Sequence, residues 1–415
     1  MTAAPPEPTS AEQAAVAARE EGVAAGARTL LAIVRERLRH GELGALPVIV
    51  GLAVIWAYFD IQDQHFLTAR NLSNLVLQIA VTGTIAIGMV LVLLLGEIDL
   101  SVGSVAGVAA AALGVLVVSH GWAWWLGILV MLAAGCAIGA FQGVWVAVVG
   151  VPSFVVTLAG LLGWQGVQLH ILGDTGTINV FESHISWIAT SFLPAALGWI
   201  LTFAGVALYA GVQLVAEARR RRAGLPAPSV VFLVARTVPI AGIFVGAVAI
   251  LNHAGGVPTA GVILIVLVIA FVLLTTRTKF GRYVYAVGGN QEAARRAGIK
   301  VVRIRIYVFA LASTFAAIGA LLQVSRGAAA STQTGGGTLL LEVIAAAVIG
   351  GTSLFGGRGN VWAALLGALV IGSVSNGLDL LGQPADVKLI VEGAILLLAV
   401  TIDALSRRGR AAAGR

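Results

Sequence analysis

TTRTKFGRYVYAVGGNQEAARRAGIKVVRIR, residues 275–305, is a basic, polar segment between two long apolar runs. It holds eight Lys or Arg residues and a single acid, Glu292. Loops rich in Lys and Arg beside membrane spans stay on the cytoplasmic side. The segment therefore predicts a membrane protein whose central loop faces the cytoplasm. A solvated loop that only fixes the topology would carry the same charge, so charge alone assigns it no further role.

Local signals within this loop predict a short helix. Gly288, Gly289 and Asn290 are typical of a turn. Glu292 then places an acid in the first turn of a helix, where the helix dipole favours it, and Gly298 can end that helix. A short helix exposed in a cytoplasmic loop is well suited to being pushed by a partner protein.

The composition indicates a polytopic membrane protein. Of 415 residues, 59% are hydrophobic and only 11% are charged, against about a quarter in ordinary soluble domains. This excludes a soluble enzyme, and the net charge of +7 indicates membrane orientation rather than nucleic-acid binding. Cys136 is the only cysteine, so no internal disulfide can form, and the six histidines lack metal-ligand spacing.

Twelve apolar runs have the length that a bilayer requires, about 17–25 residues each. They are 45–60, 72–95, 102–119, 122–147, 153–171, 194–216, 232–252, 258–275, 306–324, 338–355, 361–381 and 387–404. Several interruptions are short enough to be breaks within helices. The predicted fold is therefore an all-α membrane protein with about 10–12 transmembrane helices.

The distribution of positive charge agrees with this count. With the amino terminus inside and the spans alternating, all 26 Lys and Arg residues except Arg70, Arg326 and Lys388 lie in inside loops, in the tails or at their borders. Two spans are predicted between Arg219–Arg222 and the central loop. If their number were odd instead, one of these two basic segments would lie outside the cell. Both termini are therefore predicted to be cytoplasmic.

The predicted domains follow from this topology. Residues 1–43 form a cytoplasmic amino-terminal segment without the pattern of a signal peptide. Residues 44–405 form the transmembrane domain, which contains the central loop at 276–305. Residues 406–415 form a basic cytoplasmic tail.

One polar patch interrupts the apolar spans near their beginning. Glu97 and Asp99 are the only charged residues between Arg70 and Asp174. Carboxylates inside a membrane are costly unless they face water or a partner, so both are candidates for a translocation path, together with Ser101. A short cytoplasmic turn between the second and third spans explains them equally well.

A second polar patch, VIGGTSLFGGRG at 348–359, has a similar glycine pattern. Gly350 and Gly351 in this patch are further candidates for the path. An internal repeat relating the two halves would account for the similarity and is common in transporters. Several polar residues near the last outer loop are interpreted as helix ends that reach the interface, namely Asn376, Asp379, Asp386, Lys388 and Glu392.

The motifs that are absent also limit the function. The chain has no G-x-x-x-x-G-K-[ST] phosphate loop and no soluble stretch large enough for an ATPase domain. It shows no paired acidic clusters for a metal, and no nucleophile beside a base. No catalytic residue, metal site or cofactor is predicted in this chain. If ATP drives transport here, it must be hydrolysed by another polypeptide.

Five segments occur in an order that is typical of a known family. They are EIDLSVGS at 97–104, VPSFVVTLAG at 151–160, TRTKFGRYVYAVGGNQEAARRAGI at 276–299, VIGGTSLFGG at 348–357 and EGAILLLAV at 392–400. From about residue 45 to its end, the chain resembles the permeases of ABC sugar importers, in the ribose/xylose branch. The additional segments ARRRRAGLPAPS at 218–229 and GVPTAGVI at 256–263 favour the xylose-type members.

This resemblance implies a permease homodimer in the bacterial inner membrane, docked on cytoplasmic ABC ATPase subunits that bind ATP and Mg. A periplasmic sugar-binding protein would deliver a pentose, D-xylose, to the path that this chain forms across the lipid bilayer. The resemblance also assigns the coupling to the ATPase to Gly289, Asn290, Glu292, Ala293, Ala294 and Gly298.

An ion-coupled secondary sugar transporter is the alternative, because twelve spans and a central cytoplasmic loop fit that class too. It requires titrating residues within the membrane that are linked to the substrate, and Glu97 and Asp99 are the candidates. A membrane enzyme acting on a lipid-linked substrate ranks below both, since no catalytic constellation is visible.

Overall fold

The computed structural model describes residues 46–181, 183–225 and 230–412. The helices are α1 Leu46–Gln62, α2 Ala69–Leu94, α3 Val102–Gly114, α4 Trp124–Val144, α5 Ser153–Leu172, α6 Ile185–Thr190, α7 Ala195–Arg222, α8 Val230–His253, α9 Thr259–Arg277, α10 Lys279–Gly289, α11 Gln291–Arg296, α12 Val301–Gly327, α13 Leu339–Ile349, α14 Trp362–Leu380 and α15 Ala385–Ala412. The strands are β1 Thr177–Asn179, β2 Phe192–Leu193, β3 Val257–Pro258 and β4 Ala329–Ser331. The predicted segment 1–43 and the last three residues of the tail lie outside the described residues.

Each of the twelve predicted spans coincides with a helix. In the described part of the chain, 9 helices are long and apolar enough to cross a membrane, where α3 is counted together with the π-helical turn that follows it. Two other apolar helices, α1 and α13, are shorter, with 17 and 11 residues. The predicted span 338–355 is too long, because the chain leaves α13 at Gly350 and Gly351 takes a left-handed conformation (φ 104°). The all-α polytopic fold is confirmed.

α2 and α12 form the centre of the larger compact unit, which comprises the described residues of 45–193 and 257–415. α2 is buried without interruption from Ile79 to Leu94. α12 packs against α2, α3 and α4. A helix that is apolar on all sides and surrounded by other helices is a core helix, so both lie away from lipid. α5 is also long and apolar enough to cross a membrane but is largely exposed, as expected of a helix at the lipid boundary.

Glycines allow the close approach of α4 to α12. Gly135, Gly139 and Gly143 lie on the face of α4 that contacts α12, and a Cβ at Gly139 would collide with the carbonyl oxygen of Phe309 and the side chain of Ser313. Small residues let helix backbones approach closely in lipid. These three glycines therefore serve the packing of α4 against α12.

Two pairs of short antiparallel strands connect segments that are far apart in sequence. β1, which follows α5, pairs with β4, which follows α12, with Thr177 opposite Ser331. β2 pairs with β3, with Phe192 opposite Pro258. Both pairs belong to the larger unit.

The described residues of 194–256 form a second compact unit, in which α7 and α8 pack against each other. The basic cluster Arg219–Arg222 forms the last turn of α7, where basic residues suit the helix dipole. Arg221 also pairs with Glu217 one turn earlier.

Candidate coupling site at the central loop

The central loop folds into two short helices, α10 and α11. The side chain of Thr278 caps α10 by accepting a hydrogen bond from the N–H of Gly281. Asn290 separates the two helices, and its Oδ1 caps α11 by accepting the N–H of Ala293 at 2.9 Å. Gly298 follows α11 in a left-handed conformation (φ 81°), as helix ends often require. The predicted short helix is confirmed.

A single buried residue anchors α11. Ala294 is 4% exposed and packs into the core, whereas Glu292, Ala293, Arg295 and Arg296 are exposed. Glu292 Oε1 lies 3.5 Å from Arg295 Nη1. An ion pair this exposed contributes little stability. These charges are therefore free to meet another surface, while Ala294 fixes the position of the helix.

Gly288 and Gly289 do not form the predicted turn, since they are the last two residues of α10. Gly288 lies directly against the end of α2. A Cβ at this position would overlap the carbonyl oxygen of Leu94 and lie 2.9 Å from the backbone nitrogen of Gly357. Glycine is required at 288 because two backbones touch there.

Three segments meet at this point in a contact that we call the glycine junction, formed by Gly96, Gly288, Gly356 and Gly357. The N–H of Gly357 donates a hydrogen bond to the carbonyl of Leu94 at 2.9 Å. A Cβ on Gly356 would lie 2.9 Å from both Gly96 Cα and the carbonyl oxygen of Gly288. The turn after α2, the end of α10 and the loop after α13 are thus joined backbone to backbone.

Two side-chain contacts reinforce the glycine junction. The hydroxyl of Tyr285 in α10 donates to the carbonyl of Gly359 at 2.9 Å, and burial raises the pKa of Tyr285. Arg305, near the start of α12, forms an ion pair with Glu97. The two side chains of this pair are only 22% and 11% exposed. Neither contact is predicted by the sequence, because each joins residues that no local pattern relates.

Glu97, Asp99 and Ser101 lie together in the turn between α2 and α3. Asp99 is fully buried, and its Oδ1 accepts hydrogen bonds from Ser101 N at 2.8 Å and Ser101 Oγ at 2.7 Å. Ser101 Oγ also contacts Gln142 Oε1 at 3.0 Å. Burial raises the pKa of Asp99, and the two hydrogen bonds from Ser101 act in the opposite direction. A role of these three residues in the path stays a prediction.

The structure brings the two predicted polar patches together. Gly350 ends α13 with its backbone against that of Ala363, and the loop that follows reaches Gly96 through the glycine junction. Gly350 and Gly351 thus lie at the start of a loop that contacts α10 of the central loop. Their role in the path also stays a prediction. Asn376 does not reach the interface as predicted, because it is buried and exchanges hydrogen bonds with Asn71.

These features define a class of protein. The protein is a multi-pass helical bundle with a short loop helix, α11, that exposes a charged face. The neighbouring helix α10 touches two other segments that connect helices. Within the described residues, no three or more His, Cys, Asp and Glu side chains come together in a group that could hold a metal ion. The arrangement is that of a membrane transport permease.

Comparison with protein families agrees with this class. The family described as the permease component of branched-chain amino acid transport systems matches residues 71–400. The chain belongs to this family, and it is therefore a transport subunit rather than an enzyme.

Curated relatives cover nearly the whole chain. The xylose transport system permease protein of Escherichia coli K12 is 41% identical over 372 residues, which is 89% of this chain and 94% of that protein. Its counterpart from Haemophilus influenzae is 38% identical over 377 residues, covering 90% and 99%. The ribose import permease protein of Escherichia coli K12 is 33% identical over 362 residues, covering 86% and 92%. No solved structure matches the chain.

Proposed function

We propose that this chain is the membrane subunit of an ATP-driven sugar importer, and that its substrate is a pentose, D-xylose. The xylose permeases at 41% and 38% identity support this substrate over ribose, whose permease is more distant at 33%. The chain would form the path across the bacterial inner membrane.

The main support for this proposal is that α11 combines an exposed charged face with a buried anchor. This helix of 6 residues exposes Glu292, Arg295 and Arg296, while its buried Ala294 fixes it to the core. Such a helix can receive a push from a docked protein without being displaced from its own support. We assign the docking of the ATPase subunit to this face, together with Gly289, Asn290, Ala293 and Gly298.

The contacts of α10 supply a route by which that push can reach the path. α10 touches the end of α2 and the loop before α14 through backbone atoms, which cannot rotate away as side chains can. The Arg305–Glu97 ion pair joins α12 to the same turn. A displacement of α11 therefore moves the ends of several helices together, which is what a transporter needs to change the side on which its path is open.

The remaining partners follow from the same proposal. ATP and Mg would bind to the cytoplasmic ABC ATPase subunit, and a periplasmic sugar-binding protein would deliver the substrate. A second copy of this chain would complete the path. The central loop and both termini would then be cytoplasmic, as the distribution of Lys and Arg favours.

A sugar is uncharged and rich in hydroxyl groups, so its path needs small side chains and hydrogen-bonding groups rather than an ion-coupling carboxylate. The turn that holds Glu97, Asp99 and Ser101, and the loop that begins at Gly350 and Gly351, are our candidates for segments that line or gate this path. Both are connected to α10 by the glycine junction.

Reconstitution tests the proposal. The chain is purified with its ATPase subunit, placed in proteoliposomes, and supplied with binding protein loaded with D-xylose, ribose or no sugar. We expect the xylose-loaded protein to stimulate ATP hydrolysis and uptake. Stimulation by ribose alone would reject the substrate, and uptake without ATP would reject the energy source.

The ion-coupled alternative makes the opposite prediction. Vesicles that contain this chain alone would accumulate xylose when a proton or sodium gradient is applied. The ion pair of Glu97 with Arg305 speaks against it, because a carboxylate held by a cation is a poor site for reversible ion binding. We expect no accumulation under these conditions.

A further inference from the structure

Two carboxylates face one small cavity inside the larger unit. Glu342 of α13 and Glu392 of α15 both line a cavity of about 20 Å³, which has room for one water-sized species. The other lining residues are apolar or glycine, among them Ile371, Leu389 and Leu396. None of the described residues that line it is basic.

Glu342 lies at half the height of the bundle. Its carboxylate accepts hydrogen bonds from Thr82 Oγ1 at 3.2 Å and Thr338 Oγ1 at 2.6 Å. Thr82 is at the middle of α2, about 20 Å from either end of that helix. Glu342 gives no signal in the sequence, because one acid does not interrupt an apolar run. A carboxylate at this depth is costly unless it is paired or neutralised.

Glu392 points inward, and its interpretation as an interfacial residue is wrong. The residue is 8% exposed, and its Oε2 has no hydrogen-bond partner among the described residues. The hydroxyl of Ser375 in α14 lies near this carboxyl group. A buried ionised oxygen without a partner is unfavourable, and two neighbouring carboxylates cannot both ionise cheaply.

The basic residues near this cavity are already engaged. Lys388, one turn before Glu392 on α15, forms an ion pair with Asp379 of α14. Arg326, in the last turn of α12, interacts with the same aspartate. Asp386, in the first turn of α15, is exposed and does not line the cavity, so solvent screens its charge from the two carboxylates. The positive charge of Lys388 acts on Glu392 but is offset by the negative charge of Asp379, so the two carboxylates have no cation of their own.

We propose that Glu342 and Glu392 form a binding site for one proton, held between α13 and α15. The bound proton removes the repulsion between the two carboxylates and so favours the packing of these two helices against each other. The site lies outside the glycine junction and would bind a proton whichever sugar is carried.

Chemical labelling of the full-length chain in membrane vesicles tests this site. Dicyclohexylcarbodiimide enters apolar regions and adds to protonated carboxyl groups, and peptide mass spectrometry identifies the modified residue. We expect labelling of the pair at neutral pH that declines as the pH is raised. In Glu342→Gln, the loss of the neighbouring charge should lower the pH of half-maximal labelling at Glu392 by about one unit or more.

Asp386→Asn is the matched control, because it removes an acid from the same helix outside the cavity. It should leave the labelling of Glu392 unchanged. Absence of labelling at both carboxylates, or an unchanged pH of half-maximal labelling in Glu342→Gln, would overturn the proposal. Protection by sodium chloride, but not by choline chloride at the same pH and ionic strength, would also overturn it by assigning the site to a metal cation.

Discussion

Gly288→Ala is the most direct perturbation of the glycine junction. The added Cβ would overlap the carbonyl oxygen of Leu94 and lie 2.9 Å from the nitrogen of Gly357, whereas ordinary contacts begin at 3.4 Å. The opposing atoms are backbone atoms, so α10 itself must move, by at least about 0.5 Å relative to Gly357 and by more relative to Leu94.

The magnitude follows from this geometry. Overpacking of a tight contact costs about 1–3 kcal/mol. Coupling free energies between two sites are of the same size, about 1–3 kcal/mol. A displacement of α10 away from α2 should therefore remove most of the coupling. We expect sugar-stimulated ATP hydrolysis to fall about tenfold, which corresponds to about 1.4 kcal/mol.

The assay compares stimulated with basal ATP hydrolysis in proteoliposomes that contain the complete transporter. Gly51→Ala is the control, because Gly51 lies within α1 and a Cβ there meets no atom within 4 Å. Thermal unfolding of both variants separates loss of coupling from loss of fold. If Gly288→Ala and Gly51→Ala were stimulated to the same extent as the wild type, the coupling role of the glycine junction would be refuted.

Three other changes test the surrounding contacts. Glu97→Gln and Arg305→Gln should each lower the melting temperature, since each leaves a largely buried charge unpaired, at a cost of up to about 3–5 kcal/mol. A double variant that is no more stable than either single variant would contradict this. Gly298→Ala forces alanine into φ 81°, which costs about 1–2 kcal/mol, and should weaken stimulated ATP hydrolysis at unchanged expression. Tyr285→Phe removes the hydrogen bond to Gly359 and should cost about 1 kcal/mol at neutral pH. Burial raises the pKa of Tyr285 in the folded protein. The wild type therefore keeps this contribution to stability below the ordinary tyrosine pKa and loses it as the pH rises through the raised pKa. Its melting temperature should accordingly fall more steeply at alkaline pH than that of Tyr285→Phe.

The helices were predictable because lipid leaves the backbone few alternatives. Every backbone polar group within a bilayer must be satisfied inside the segment, so a long apolar run has to be a helix. The run 153–171 thus corresponds to helix Ser153–Leu172. The short helix α11 was also predictable, because its signals are local: Asn290 before it, Glu292 in its first turn and Gly298 after it.

The glycine junction was not predictable, because its contacts are not local. Glu97 and Arg305 are 208 positions apart, and the sequence around each residue does not indicate its partner. The glycines at 288 and 289 indicated a turn, yet Gly288 is glycine because α2 passes directly against it. Glycine can allow either a turn or a close contact between two backbones, and only the position of the neighbouring backbone distinguishes these two roles.

The pairing of β1 with β4 has a mechanical consequence. α12 begins near the Glu97–Arg305 pair and runs about 40 Å before β4 continues the chain. α5 begins at Ser153, whose hydroxyl accepts the N–H of Ile98, and also ends near these strands. The strand pair thus holds the two helices together at one end, while the contacts of Ile98 and Glu97 hold them at the other. A motion that separates α5 from α12 while the strand pair stays intact must therefore first break the contacts at Ile98 and Glu97.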